Sequence, residues 1–259
     1  MPAMLLAGVV VFSSCEKNEQ DVMTPTFEQG SIAHVMVDST EVTSFNYNGS
    51  TVSQINHFNE ESGELESFEK FVTDASGKMV KSSTHAANNH AVLSDQTYTY
   101  DSKGQLTNSA TNYYAAGKVE YSAYATYEYN SDNKLEKKSV YEGATKDGEL
   151  KSYTTYETLP NGNFGQEKQF VIDSEGTAKL FSTTTYSYDT NSNPFHTIAE
   201  PGKASSPNNI VASTLLVHGS GKTYKYSYTY QYDERGYPTS QTVVSPAGNR
   251  QTFKYAYSN

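Results

Sequence analysis

Five groups of residues in this chain have types and spacings that could do chemistry. Gly219-Ser220-Gly221-Lys222-Thr223 has the tail of a phosphate-binding loop, in which backbone amides and the dipole of a following helix hold phosphate. That loop also needs a glycine where Leu216 stands and a helix afterwards. The residues that follow, Tyr224-Lys225-Tyr226-Ser227-Tyr228, alternate as a strand does, so a hairpin turn is expected instead. Asp189, Asn191 and Asn193, with Glu200 at the twelfth position, have the oxygen-ligand spacing of a calcium-binding EF-hand loop. The sixth position of such a loop needs a glycine, and proline, here Pro194, cannot take φ > 0. His34, His57, His85, His90, His196 and His218 are scattered, with no second ligand at helical spacing, so no zinc site is expected. Glu60, Glu61, Glu64 and Glu66 crowd one turn and read as a solvated hairpin rather than a glycosidase pair. No nucleophile elbow is present. The sequence therefore predicts no enzyme, no metal and no cofactor.

The fifth group is aromatic. Tyr224, Tyr226, Tyr228, Tyr230 and Tyr232 alternate with Lys225, Ser227, Thr229 and Gln231, which gives one strand an all-tyrosine face. Val119, Tyr121, Ala123, Ala125, Tyr127 and Tyr129 form a similar face, and Phe253, Tyr255 and Tyr257 a third. A dry core favours aliphatic residues, because a buried phenol needs a hydrogen-bond partner. A row of tyrosines suits a half-wet concave surface that holds glycan, peptide or protein. Tyr226, Tyr228 and Tyr230 are the candidate ligand-binding residues. An alternative function is that of a periplasmic carrier holding a hydrophobic ligand in a curved sheet.

The elements that carry these residues are set by turns. Turn signals recur at steps of 12 to 17 residues from Asn48-Gly49 to Ala247-Gly248, with one gap before Ser220-Gly221. Segments of 8 to 11 residues with period-2 patterning lie between them. A motif Tyr-x-Tyr-Asp-x-x-Gly runs over Tyr98–Gly104 and Tyr230–Gly236, and over Tyr127–Asn133 with Asn in place of Asp and Gly. Looser copies follow Asp74, Asp173 and Asp189. In each, the Asp carboxylate accepts turn amides and the Gly takes a left-handed conformation. The expected fold is all-β: an antiparallel meander of about 14–16 strands over 27–259, curled into a barrel-like or two-layer sheet. Between Pro194 and Asn209 the rhythm breaks, and a crossover covering a sheet end is expected there.

At 259 residues the chain suffices for one large β domain. Hydrophobic content is 36%, and tyrosine (22 residues) outnumbers phenylalanine (11). The net charge of −10 repels phosphate backbones and excludes nucleic acid as a partner. It equally disfavours adhesion to anionic lipid. Membrane contact would have to come from the start of the chain, where the apolar run Leu5–Phe12 and the small pair Ser13-Ser14 precede the single cysteine, Cys15. The run is too short to span a bilayer and has the length of a signal-peptide core.

This arrangement resembles a bacterial lipobox. The resemblance implies a signal peptide over 1–14, lipid attachment at Cys15, and a flexible tether over 15–26. Two or more acyl chains, at about 0.8 kcal/mol per buried CH₂, make a durable membrane anchor. Met1-Pro2-Ala3-Met4 lacks the positive charge of such leaders, which predicts a natural start upstream. Glu16, Glu19 and Asp21 resemble the acidic signal that sends Bacteroidota lipoproteins to the cell surface. The Tyr-Asp motifs resemble the YD repeats of Rhs-type proteins. With Asn208-Asn209-Ile210-Val211 and Tyr228–Pro238 they also resemble a Bacteroidota lipoprotein family of unassigned function. That likeness implies a cell-envelope protein, lipid-anchored in the outer membrane, with a binding or scaffold role. Rhs shells enclose toxin segments, and the 259 − 14 = 245 residues after the leader are too few for one.

Overall fold

The computed structural model describes residues 30–258. The expected signal peptide, Cys15 and the tether lie outside the described residues. Sixteen strands follow one another: β1 (Ile32–Val37), β2 (Thr40–Asn48), β3 (Thr51–Phe58), β4 (Leu65–Thr73), β5 (Met79–Ala86), β6 (Val92–Tyr100), β7 (Leu106–Ala115) and β8 (Lys118–Tyr129), then β9 (Leu135–Glu142), β10 (Leu150–Thr158), β11 (Phe164–Ile172), β12 (Ala178–Ser192), β13 (Asn208–Val217), β14 (Lys222–Tyr232), β15 (Pro238–Val244) and β16 (Arg250–Tyr257). Each pairs antiparallel with its sequence neighbours. β1 pairs with β16, in the register Val35↔Tyr255 and Val37↔Phe253, and so closes a barrel. Of the two expected architectures, the closed one forms.

The turns explain the regularity. At Asp101 the carboxylate accepts the amides of Lys103 and Gln105, both at 2.9 Å, and Gly104 N–H donates to the Asp101 carbonyl. Gly104 sits at φ +83, a conformation that glycine takes without a Cβ clash. Asp74, Asp173 and Asp233 repeat the pattern, and Asn130 repeats it with Asn133 (φ 60) as the left-handed residue. Gly148 departs from the expected tight Asp-Gly turn. Its φ is not positive, and a Cβ there would meet the Glu142 carbonyl oxygen at 1.7 Å. Glycine is needed at that position for close backbone approach within a longer loop.

Because strands alternate in direction, the barrel has two rims. The proximal rim holds the start of β1 and the turns after even-numbered strands, including those at Asp74, Asp101, Asn130 and Asp233. The Asp173 turn lies at the distal rim. The structural repeat is thus a strand pair, spaced by 101 − 74 = 27 and 130 − 101 = 29 residues.

The largest apolar cluster (Ile32, Val35, Val37, Val42, Phe45, Tyr47, Val52, Phe253, Tyr255) lies where β1 and β16 close the barrel. A smaller one joins Tyr98, Leu106, Ala125 and Tyr127.

Candidate functional site

Residues 193–207 identify the interior. Phe195 packs on Phe45 of β2 and Tyr255 of β16, with ring centroids 6.2 and 5.7 Å away. A few residues on, Glu200 Oε1 accepts a 3.1 Å hydrogen bond from Tyr98 Oη of β6. Gly202 lies against the Tyr127 ring of β8, so closely that a Cβ would fall 2.4 Å from it. β16 and β2 stand across the barrel from β6 and β8, and one short segment reaches both sides only by crossing the lumen. The segment was expected to be a crossover over a sheet end; it fills the proximal end of the barrel from within. It is fixed there by Ser206 Oγ, which donates to Tyr188 Oη at 2.8 Å, and by Asn193 Nδ2, which donates to the Ser206 carbonyl at 2.9 Å.

With Phe45, Tyr98, Tyr127 and Tyr255 facing inward, the register sets every other strand. Tyr226, Tyr228 and Tyr230 oppose Ser213, Val243 and Gln241, and the whole tyrosine face of β14 points into the lumen. The other two aromatic faces do the same. Outward faces carry charged residues, Glu66 and Lys70 (β4), Lys81 (β5), Asp95 (β6), Glu128 (β8), Lys137 (β9), Lys168 (β11), Lys225 (β14) and Lys254 (β16), together with aromatic pairs such as Tyr124–Tyr141 and Tyr153–Phe170. Some of them pair across strands, Lys81 with Asp95 at 2.8 Å and Lys137 with Glu128 at 3.0 Å.

Exposure inside the lumen is graded along the axis. Tyr98, Tyr127 and Tyr228, towards the proximal end, are 5%, 7% and 5% exposed, whereas Tyr113, Val171 and Tyr224, towards the distal rim, are 47%, 39% and 36% exposed. On the β7–β14 side the barrel is therefore a cup. Segment 193–207 is its floor, and the distal rim is its mouth.

The three candidate tyrosines sit at different depths. Tyr228 is buried, with its hydroxyl 3.3 Å from Ser213 Oγ. Tyr230 is half-buried; it donates to the Ile210 carbonyl at 2.9 Å and accepts from Gln241 Nε2 at 2.6 Å. Tyr226, nearer the mouth, is also half-buried. The hydroxyls of Tyr228 and Tyr230 are thus bonded within the protein.

Charged groups also line the lumen, and the sequence reading missed them. Glu69 of β4 bonds His57 Nε2 of β3 at 2.9 Å. Burial alone would raise its pKa, but the bond and charge of His57, with the nearby charge of Lys203, outweigh that and hold the carboxyl below its usual range. Burial raises Glu167 of β11 to about 7, although a hydrogen bond with Tyr186 partly opposes the shift. Glu200 pairs with Lys203 at 2.7 Å. Lys138 of β9 faces the Tyr127 ring. Strand parity was the signal that would have found these residues: Lys138 is opposite Tyr127, and Glu167 opposite Tyr156.

Asp189, read above as a possible calcium ligand, is occupied within the fold. It accepts from the amides of Asn191 and Asn209 and from the Tyr232 hydroxyl. Among the described residues no three His, Cys, Asp or Glu side chains gather as metal ligands.

The barrel aligns with a porin-like protein from Bacteroides vulgatus over 88% of this chain and 99% of that one, at 12% identity and a TM-score of 0.56. The two chains share a fold. A porin-like protein from Bacteroides uniformis aligns over 90% of this chain and 100% of its own, at 17% identity and a TM-score of 0.48. The structure of TcdB2-TccC3-Cdc42 aligns over 85% of this chain but 12% of its own, at 16% identity and a TM-score of 0.37. No protein-family model and no curated protein sequence matches the chain.

Proposed function

We propose that this protein is a non-catalytic envelope lipoprotein, anchored through Cys15, whose cup-shaped lumen binds a ligand through its tyrosine-lined wall. The observation that carries the reading is the graded exposure of the inward aromatic faces, dry at the floor and open at the mouth. Rigid rings lose little rotamer entropy on binding, so a preformed row of them suits a glycan or a peptide. The outward faces support an anchor outside the barrel itself. A lysine on a lipid-facing barrel wall costs about 2–4 kcal/mol at the bilayer midplane, and here lysines or acids stand on the outward face of at least eight of the sixteen strands. The inward Ser182, Thr184, Gln169 and Glu167 weigh against a carrier of purely hydrophobic cargo. His57 and Glu69 form the kind of dyad that could activate a hydroxyl. The dyad stands on β3 and β4, away from the tyrosine face of β14 that carries the reading.

The test is ligand capture on arrays of oligosaccharides and peptides. Tyr226→Ala should weaken capture and leave the unfolding midpoint nearly unchanged. Tyr228→Ala should cost about 3 kcal/mol or more of stability, as large-to-small aromatic substitutions in cores do. Undiminished capture by Tyr226→Ala would overturn the reading.

A further inference from the structure

The floor of the cup holds a cation that the protein does not neutralise. Lys138 is opposite Tyr127 on one side and Thr154 on the other, so its side chain enters the lumen. Its ammonium lies 5.5 Å from the centre of the Tyr127 ring. Among the described residues it makes no ion pair and no hydrogen bond. Burial lowers its pKa, the nearby charge of Lys203 lowers it further, and Glu200 offsets this only in part. Glu200 is already engaged, by Lys203 at 2.7 Å and by Tyr98 at 3.1 Å.

Two ammonium groups thus lie near enough to sense each other's charge, in a chain with 29 acidic residues and a net charge of −10. A half-buried lysine with no ion pair carries a desolvation cost, and a methionine of similar volume would pack without it. An anion that comes from solution would remove both the desolvation and the like-charge repulsion. The way in is from the mouth. Tyr113 and Tyr121, whose rings lie 6.0 Å apart, flank it, and Tyr113 senses the charges of both Glu200 and Lys203.

We propose that Lys138 and Lys203 bind the anionic group of an acidic saccharide, a uronate carboxylate or a sulfate ester, while lumen tyrosines cover the sugar faces. The proposal rests on the lumen-binding reading above and names its ligand class. Lys138 donates charged hydrogen bonds to the anion, and Lys203 does so from its exposed side.

The test is calorimetric titration of the full chain at fixed ionic strength, with digalacturonate, a monosulfated disaccharide, sodium sulfate and a neutral disaccharide as probes. At least one acidic sugar should bind ten times more tightly than the neutral one, and the stronger of the two identifies carboxylate or sulfate as the anion. Lys138→Met should lose at least tenfold in acidic-sugar affinity, leave neutral-sugar affinity unchanged and not lower the melting temperature. Lys138→Arg should retain the preference. Should Lys138→Met fail to fold, Lys203→Met, at a half-exposed side chain, should show the same loss. An anion preference that survives these changes, or equal binding of acidic and neutral sugars, overturns the anion site and leaves the lumen reading standing. If neither sulfate nor a sugar of either kind binds, both fall. Sulfate binding through Lys138 with no sugar binding keeps the anion site and removes the tyrosine wall from function.

Discussion

Replacing Gly202 by alanine should loosen the floor of the cup. Gly202 has φ +79, where an L-residue is strained by roughly 1–2 kcal/mol. A Cβ there would also lie 2.4 Å from Cε1, 2.5 Å from Cζ and 2.6 Å from Oη of Tyr127. Overpacking of that kind adds about 1–3 kcal/mol, because Tyr127 is held between Ser109, 3.0 Å from its hydroxyl, and Lys138 over its ring. The expected total is roughly 2–5 kcal/mol, well above an ordinary surface change of ~0.5 kcal/mol. Urea unfolding followed by tyrosine fluorescence measures it, since the chain has 22 tyrosines and no tryptophan. A double-mutant cycle separates the two contributions. In a Tyr127→Leu background the ring overlap disappears and Gly202→Ala should cost only the backbone strain, which leaves a coupling of about 1–3 kcal/mol. A loss below 1 kcal/mol, or an equal loss in both backgrounds, would refute the docking of segment 193–207 against β8.

Gly104→Val, Gly176→Val and Gly236→Val should each destabilise by roughly 1–2 kcal/mol, because all three occupy left-handed turn positions; denaturant midpoints check this. The folded chain keeps the proton of Glu167 up to about pH 7, while the unfolded chain releases it near 4.5. Stability should therefore fall as pH rises between those values, by roughly 1–3 kcal/mol, and Glu167→Gln should flatten that part of the curve. A pH profile that Glu167→Gln leaves unchanged refutes it. Cys15→Ser should abolish palmitate labelling and release the protein from the membrane fraction; labelling that persists in the variant rules out the anchor.

What could be read from the sequence was local. The Asp101–Gly104 turn is contained in four residues, and its hydrogen bonds reach no further than Gln105, so pattern alone exposes it. Strand number follows from such turns. Closure does not, because the β1–β16 register depends on residues more than 200 positions apart. The role of segment 193–207 was hidden for the same reason: prolines mark it as irregular, but its destination is set by contacts such as Tyr98–Glu200, separated by 102 positions. Lys138 follows Lys137 and reads as half of a surface pair until strand parity turns it inward. The tyrosine faces were legible as faces. Their depth was not, because Tyr226 and Tyr228 differ only in distance from a floor that the sequence does not show.

The seam between β1 and β16 has a consequence for how the barrel is made. Fifteen of its sixteen strand pairings join neighbours in sequence and can form as hairpins while the chain emerges. The sixteenth joins Ile32 to Tyr257, 257 − 32 = 225 residues apart. Treated as a flexible loop, that closure costs roughly 3 kcal/mol more entropy than a hairpin of about ten residues. The richest apolar cluster of an otherwise lean interior sits at this joint, with Val35, Val37, Phe253 and Tyr255 on its two strands and Phe195 packed against them. Until β16 arrives, the other fifteen strands form an open sheet with two unpaired edges, and such edges recruit other chains. The final eight-residue strand is thus the clasp of the molecule. A nascent or truncated chain without it would be the aggregation-prone species, and a free peptide of residues 250–257 would compete for the same edge.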